Sequence, residues 1–311
     1  MLKMYHRHAE DGQSPAFWEE FGSEGSFEQR LRFCETDPLR PLFREHARPG
    51  TRMLEGGCGQ GQYVAYYSAQ GVRVVGLDFA RDWLRRLRQR DGALMLCAGD
   101  VAALPYRSAS FDVYYSGGVV EHFEAGCDEA LREARRVLRP GGVLLISVPY
   151  DSPLRKILSV VRRHDWRRVR GPRQEPAGAG LTFFQYCYTP AEFTPMLEAA
   201  GLRVVKTQGY AVLWGLHDIP GLQRLVSRLS ASRGPAAGAV TGAAFGEAGS
   251  SGAPAASTQP SGVRGWLKRL VVAEDETLPG GGWAVRVGRW FCSNMMMYVC
   301  VPADAGTGSR D

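Results

Sequence analysis

Short apolar runs alternate with amphipathic segments between residues 50 and 150. The runs predicted as buried strands are Met53–Leu54, Val72–Leu77, Ala93–Cys97, Phe111–Ser116 and Val143–Val148. The segments with apolar residues at helical spacing are Gln62–Gln70, Ala80–Arg90 and Asp128–Leu138, and Arg139–Gly142 is predicted as a turn. This alternation predicts an α/β fold whose parallel sheet is covered by helices on both faces.

Beyond residue 150 the alternation of strands and helices continues, but longer segments that do not fit it lie between them. A helix that begins at Thr189 or Pro190 and ends at Gly201 precedes a predicted strand at Leu202–Lys206, and Phe291–Val301 is the candidate for a last strand. Between them, residues 231–262 consist mainly of Ala, Gly, Ser and Pro and predict a disordered insertion with apolar helical stems at 222–229 and 263–272. We therefore expect a core at 51–230 with a substrate cap at 150–189, the insertion, and a return to the core at 263–311.

The first 50 residues are polar with scattered aromatic side chains. Short helices are predicted at Ser14–Phe21 and Phe27–Arg32, and Leu42–His46 leads towards the first strand of the core. The aromatic residues either form a lid over a site in the core or pack on the edge of the sheet, and the sequence supports both interpretations.

A glycine-rich turn follows the first predicted strand of the core, in the stretch TRMLEGGCGQGQYV at residues 51–64. Glycines permit positive φ and let a ligand approach the backbone, whose free N–H groups then face that ligand. A dinucleotide site requires G-x-G-x-x-G, but Gln62 occupies the third glycine position when the pattern starts at Gly57. The acid Glu55, directly before the turn, suits a ligand with a positive amine better than a pyrophosphate.

A second acid, Asp78, ends the next predicted strand. Its distance from Gly61 is close to the ~20 residues expected for a ribose-binding acid in a βαβ unit. The alternative is that Asp78 caps the following helix, and one carboxylate can serve both purposes.

The order E-x-G-x-G-x-G at Glu55–Gly61 resembles motif I of the class I S-adenosylmethionine-dependent methyltransferases. The stretches FDVYYSGGVVEHF and LREARRVLRPGGVLLISVP resemble the methyltransferase type 11 branch of that class, and the resemblance covers residues 50–150 in order and spacing. It implies a Rossmann-like, doubly wound, seven-stranded, mostly parallel sheet with an antiparallel last strand. It also implies S-adenosylmethionine as the cofactor of a methyl transfer.

The resemblance assigns roles to the residues that match its motifs. Glu55 would lie near the methionine amine, Asp78 would bind the ribose, and Asp100 would bind the adenine amine. Three glycines would let the cofactor approach, and four further residues would line its site: Gly57, Gly59, Gly61, Phe79, Val101, Ser116 and Gly117.

His122 is the candidate catalytic residue, because it follows the fourth strand of the core and a general base helps when the acceptor is a hydroxyl. A near-neutral pKa would suit this role, and a structural role for His122 is equally compatible with the sequence. The N-P-P-Y signature used on amino nitrogens is absent, which favours oxygen or carbon acceptors on small molecules or lipids. No cluster of metal ligands is predicted.

Two other functions remain as alternatives. A nicotinamide-dependent oxidoreductase conflicts with Gln62 and Glu55, and the sequence shows no recognisable catalytic pair for it. A binding module that keeps the fold without activity conflicts with the presence of Glu55, Asp78 and Asp100.

Composition and charge limit the class of protein and the partners that we expect. The 311 residues carry a net charge of +6, and 44% of them are hydrophobic, as in an ordinary globular protein. The basic stretch at 154–173 suits an anionic small-molecule or lipid-linked acceptor or a peripheral membrane contact, or it is a solvated helix. It lacks a recognisable nucleic-acid recognition module. The start of the chain has no apolar signal region, and the seven scattered cysteines suit free thiols, so we expect a cytoplasmic protein of undetermined oligomeric state.

Overall fold

The computed structural model describes residues 1–6, 14, 17–18, 26–161, 167–170, 182–217, 219, 221–222, 274, 276–277 and 281–303. The predicted insertion at 231–262 and nearly all of its two predicted stems lie outside these residues. Among the described helices, none combines the length and apolar character that crossing a membrane requires.

The main sheet has seven strands. In chain order they are β2 (Arg52–Gly56), β3 (Arg73–Asp78), β4 (Met95–Ala98), β5 (Phe111–Gly117), β6 (Leu138–Pro149), β9 (Leu202–Tyr210) and β10 (Met295–Pro302). Their spatial order is β4-β3-β2-β5-β6-β10-β9, with β10 antiparallel to both of its neighbours and the first five strands parallel. This arrangement confirms the predicted Rossmann-like sheet with an antiparallel last strand.

Helices flank this sheet. They are α1 (Phe27–Thr36), α2 (Arg40–His46), α3 (Gln62–Ser68), α4 (Arg81–Arg90), α5 (Asp128–Val137), α6 (Pro153–Val161), α7 (Pro190–Ala199), α8 (Val212–His217) and α9 (Gly282–Cys292). The helix α7 begins with a capping box between Thr189 and Glu192, and Gly201, with φ +77°, follows its end. Both of its predicted boundaries therefore hold.

Apolar side chains fill both faces of the sheet. Successive strand residues point to opposite faces, so Met53 joins one buried cluster and Leu54 the other, as do Leu145 and Leu144. Burial on both faces explains why the strands read as continuous apolar runs in the sequence.

Two predicted boundaries were wrong. The predicted turn at Arg139–Gly142 lies inside β6, where the pairing with β5 jumps from Phe111–Leu138 to Val113–Val143, so the extra residues bulge from one continuous strand. Phe291, predicted as the start of the last strand, belongs to α9, and β10 starts at Met295.

A second, three-stranded antiparallel sheet was not predicted. It places β1 (Leu2–His6) between β7 (Arg167–Arg170) and β8 (Thr182–Cys187). The N-terminal segment, predicted as helical, therefore begins with a strand that completes the cap region. The only local sign is that Leu2 and Met4 are apolar and buried on either side of Lys3.

Candidate active site

The glycine turn lies between β2 and α3, and its backbone requires glycine. Gly57, Gly59 and Gly61 have φ values of +75°, +49° and +67°, which side-chain-bearing residues rarely adopt. The turn is held to the neighbouring strand because the N–H groups of Gly57 and Cys58 both donate to the Leu77 carbonyl, at 2.8 and 3.0 Å.

The three glycines differ in what surrounds them. A Cβ at Gly57 would overlap the Val119 side chain, and a Cβ at Gly61 would overlap the Leu87 side chain. A Cβ at Gly59 would meet no atom within 4 Å in the described part of the chain. Gly57 and Gly61 therefore permit close packing, whereas Gly59 borders open space that a ligand can enter.

Asp78 fixes this turn from the end of β3. Its Oδ2 accepts from the Gly59 N–H at 2.7 Å, and its Oδ1 accepts from the Ala80 N–H at 2.8 Å, directly before α4. The local capping role considered from the sequence is thus present. Each carboxylate oxygen has two lone pairs and can accept more than one hydrogen bond.

Glu55 lies beneath the turn at the end of β2. It is buried, and this desolvation raises its carboxyl pKa well above the usual range, although the Val64 backbone N–H opposes the shift. Its Oε2 and the buried Ser116 Oγ have no hydrogen-bond partner among the described residues. Buried polar atoms in this condition favour a ligand that supplies the missing partner.

The remaining predicted cofactor residues follow the ends of neighbouring strands. Phe79 is exposed directly after Asp78, and Gly117 ends β5. Asp100 is exposed after β4 and its Oδ1 accepts from the Ala102 N–H at 2.8 Å, while Val101 is buried. The parallel order of these strands brings all the predicted cofactor residues to the carboxyl edge of the sheet, where open α/β sheets bind ligands.

His122 lies at the same edge, in a short 3₁₀ turn formed by Val120–His122. Its Nδ1 is 2.6 Å from the Phe184 carbonyl oxygen in β8. Because a carbonyl only accepts, Nδ1 carries the proton in this pair, and Nε2 is the ring atom that can take one up. Burial lowers the His122 pKa to about 4, so the expected near-neutral pKa is not what the structure gives.

Glu121 is a second titratable side chain here, which the sequence reasoning did not single out. It is fully buried, neither carboxyl oxygen has a hydrogen-bond partner among the described residues, and Oε1 is 3.9 Å from His122 Nε2. Burial raises its carboxyl pKa to about 8. The sequence feature that could have indicated a buried acid is the position of Glu121 inside the apolar stretch VVEHF.

Trp18 contacts both sides of this edge. The Trp18 ring lies 4.5 Å from the His122 ring and is stacked on the Phe184 ring at 6.1 Å, both measured between centroids. The Trp18 backbone carbonyl accepts a hydrogen bond from Trp83 Nε1 at 3.4 Å. Phe33, by contrast, is buried in the core. Trp18 therefore packs against His122 and Phe33 packs in the core, and a lid formed by the N-terminal aromatic residues stays a prediction.

Arg155 is buried inside the protein, although it belongs to the predicted basic stretch. Its guanidinium donates to the Tyr150 carbonyl at 2.7 Å and to the Asn294 side chain. It therefore joins α6 to the start of β10. Residues 162–166 and 171–173 of the stretch lie outside the described residues.

Comparisons with known proteins match part of this chain. Residues 54–146 match a family model of the type 11 branch, described as a methyltransferase domain. A malonyl-[acyl-carrier protein] O-methyltransferase of Erwinia pyrifoliae is 29% identical over 60% of this chain and 66% of its own length. The protein of the same name from Serratia marcescens is 34% identical over 51% of this chain and 60% of its own.

A solved structure of an S-adenosylmethionine-dependent methyltransferase from Mesorhizobium loti aligns with 85% of this chain and 97% of its own, at 16% identity and a TM-score of 0.48. The chain matches less than two thirds of the length of either curated relative. The sheet order and the glycine turn agree with the class I S-adenosylmethionine-dependent methyltransferase fold, and residues 54–146 match a methyltransferase domain.

Proposed function

We propose that the protein transfers a methyl group from S-adenosylmethionine to an oxygen or carbon atom of a small-molecule or carrier-linked acceptor. The observation that carries this proposal is the glycine turn, with its three left-handed glycines and the hydrogen bond from Gly59 to Asp78. The turn leaves Gly59 beside open space and keeps it rigid, as a site for a bound cofactor requires.

The residues present fit this cofactor. The Asp78 carboxylate, held beside Gly59 at the end of β3, suits the ribose hydroxyls, and the unpartnered Glu55 Oε2 suits the charged methionyl amine. Asp100 and Val101 would meet the adenine, Phe79 would flank the nucleoside, and Ser116 and Gly117 would border the sulfonium. When bound, the cofactor supplies an activated methyl group, so the protein mainly has to orient the acceptor and exclude water.

We infer that His122 and Glu121 handle the acceptor side. His122 is held by Phe184 through Nδ1, so that Nε2 can take the acceptor proton, and its low pKa keeps the imidazole neutral but makes it a weak base. An imidazolium at this buried position needs a nearby negative charge. In the molecules whose Glu121 is already ionised before the acceptor binds, its carboxylate, 3.9 Å away, provides that charge, and the acceptor proton stays on Nε2.

The acceptor class rests on the relatives. Both are named for O-methylation of a malonyl group on a carrier protein, which supports an oxygen acceptor presented on a larger carrier. The buried setting of His122, beneath Trp18 and beside Phe184, supports an acceptor with an apolar part next to the reacting atom.

Two measurements test the proposal. Calorimetric titration with S-adenosylmethionine, S-adenosylhomocysteine and NADH should show binding of the first two compounds alone. Transfer of labelled methyl should then be followed with malonyl-acyl carrier protein, free malonate and hydroxylated lipids as acceptors. Binding of NADH alone would overturn the cofactor, and cofactor binding without transfer to any oxygen or carbon acceptor would favour the inactive module.

A further inference from the structure

Three helices form a layer beside the last three strands of the main sheet, β6, β10 and β9. The helix α6 follows β6, α8 follows β9, and α9 precedes β10. Met295 at the start of β10 pairs with both Pro149 at the end of β6 and Tyr210 at the end of β9, so all three helices join the sheet at one edge. Because β6 is parallel to β5, this is also the carboxyl edge that carries Asp78 and His122.

The inner side of this layer is well packed. Leu154, Val212 and Cys292, one from each helix, form a buried cluster. In α9 the buried residues Val285 and Cys292 therefore define the face that is turned towards α6 and α8.

The outer side of α9 carries large apolar side chains that are exposed to solvent. Trp283, Val287 and Trp290 are 66, 50 and 62% exposed. At about 100° per residue, Trp290 and Val287 lie within about 40° of Trp283 around the helix, and Cys292 lies about 180° away. Ile157 on the neighbouring α6 is also exposed, at 53%. Such a grouping is uncommon on a surface that faces only water.

The charged residues on the three helices of this layer are cationic. The sequences of α6, α8 and α9 contain no acidic residue, and Arg286 is exposed about 60° from Trp283 on α9. Two acids of the preceding loop, Glu274 and Glu276, both pair with Arg289, and the Glu274 carboxylate lies 2.8 Å from its Nε. An indole-rich face with an exposed arginine, on helices whose sequences lack acids and beside glutamates that already pair with Arg289, is complementary to an anionic lipid surface.

We propose that the outer face of α9, with Ile157 of α6, docks on an anionic lipid bilayer. Tryptophan rings would lie among the headgroups and Arg286 would contact lipid phosphates. Docking there would hold the carboxyl edge of the sheet close to the bilayer. This inference stands apart from the proposed methyl transfer, since it concerns a surface and not the cofactor site.

Vesicle co-sedimentation tests the proposal, with phosphatidylcholine vesicles compared with and without phosphatidylglycerol. We expect the full chain to sediment with the anionic vesicles, less so at high salt, and the double variant Trp283→Ser/Trp290→Ser to bind at least roughly tenfold more weakly. Arg286→Glu should weaken binding to anionic vesicles on its own and provides the test if the double variant does not fold. Met95→Ser is the matched control, because Met95 is 46% exposed on β4 at the far side of the sheet.

Equal sedimentation of wild type and the tryptophan variants, or no sedimentation at all, would overturn the proposal. Self-association that disappears in the double variant would assign the face to a second copy of the chain instead. Titration of the same samples with S-adenosylmethionine separates the two ideas, since loss of vesicle binding should leave cofactor affinity unchanged.

Discussion

The Asp78 carboxylate and the Gly59 backbone N–H lie 2.7 Å apart, although 19 positions separate them in the chain. This hydrogen bond joins the end of β3 to the glycine turn after β2. It lets one acid shape the glycine turn through the backbone, and the proposed contact with the cofactor ribose would be a second role of the same carboxylate.

Replacing Asp78 should therefore damage cofactor binding in two ways. Asp78→Ala removes both backbone hydrogen bonds and the ribose acceptor, and we expect S-adenosylmethionine affinity to fall by roughly 10- to 100-fold, since charge-assisted hydrogen bonds contribute about 1.5–3 kcal/mol each. Calorimetry measures this change. Asp91→Ala is the control, because Asp91 makes a comparable local bond to the Ala93 N–H at the end of α4. Unchanged affinity in Asp78→Ala would remove the ribose assignment.

The glycine turn allows a comparison within one motif. Alanine at either Gly59 or Gly61 costs about 1–2 kcal/mol of strain at positive φ. Gly61→Ala also forces a methyl group into Leu87, which adds about 1–3 kcal/mol of overpacking, so its free energy of unfolding should fall further. Gly59→Ala places its methyl group in open space and should instead weaken S-adenosylmethionine binding.

Urea unfolding and calorimetry on the same two variants separate these effects. We expect Gly61→Ala to be the less stable variant and Gly59→Ala to have the larger loss of affinity relative to its loss of stability. A Gly59→Ala protein with wild-type affinity would show that the open space beside this glycine is not where the cofactor binds.

The sequence predicts the features that depend on local pattern. The order of the strands, the glycine turn and the acid at Asp78 follow from apolar runs and from residue types at strand ends. The strand β1 leaves little local trace, because its partners β7 and β8 lie more than 160 residues away. The burial of Arg155 and Glu121 likewise depends on distant elements that pack over them, and charged side chains are expected at the surface until such packing is known.

His122 provides a test of the acceptor side of the site. If its Nε2 takes the acceptor proton, His122→Ala should lower turnover by roughly 10²- to 10⁴-fold and leave S-adenosylmethionine affinity within about twofold. The measurement is labelled methyl transfer alongside calorimetry. His46→Ala is the matched control, since His46 lies at the end of α2 and is only partly buried. Wild-type turnover in His122→Ala would leave this histidine with a structural role.

Glu121 should make the stability of the protein depend on pH. Its pKa is raised to about 8 in the folded protein by burial, against an ordinary value of 4.5, so the folded state holds a proton that the unfolded state releases in this window. Higher pH therefore favours unfolding between pH 4.5 and about 8, by up to about 1.4 kcal/mol per pH unit. The neighbouring His122, whose pKa is lowered to about 4, acts in the opposite direction between about pH 4 and 6.5.

The variant Glu121→Gln isolates the contribution of the Glu121 carboxyl to the pH dependence of stability. The amide has nearly the same shape as the carboxyl and cannot ionise, and His122 is present in both the variant and the wild type. Urea unfolding at several pH values should show the variant gaining stability relative to wild type as pH rises from 5 to about 8. Glu129→Gln, an exposed position on α5, should show no such trend. If the stabilities of Glu121→Gln and wild type instead change in parallel across this range, the Glu121 carboxyl is already ionised in the folded protein. The negative charge proposed for stabilising the His122 imidazolium would then be present at all of these pH values.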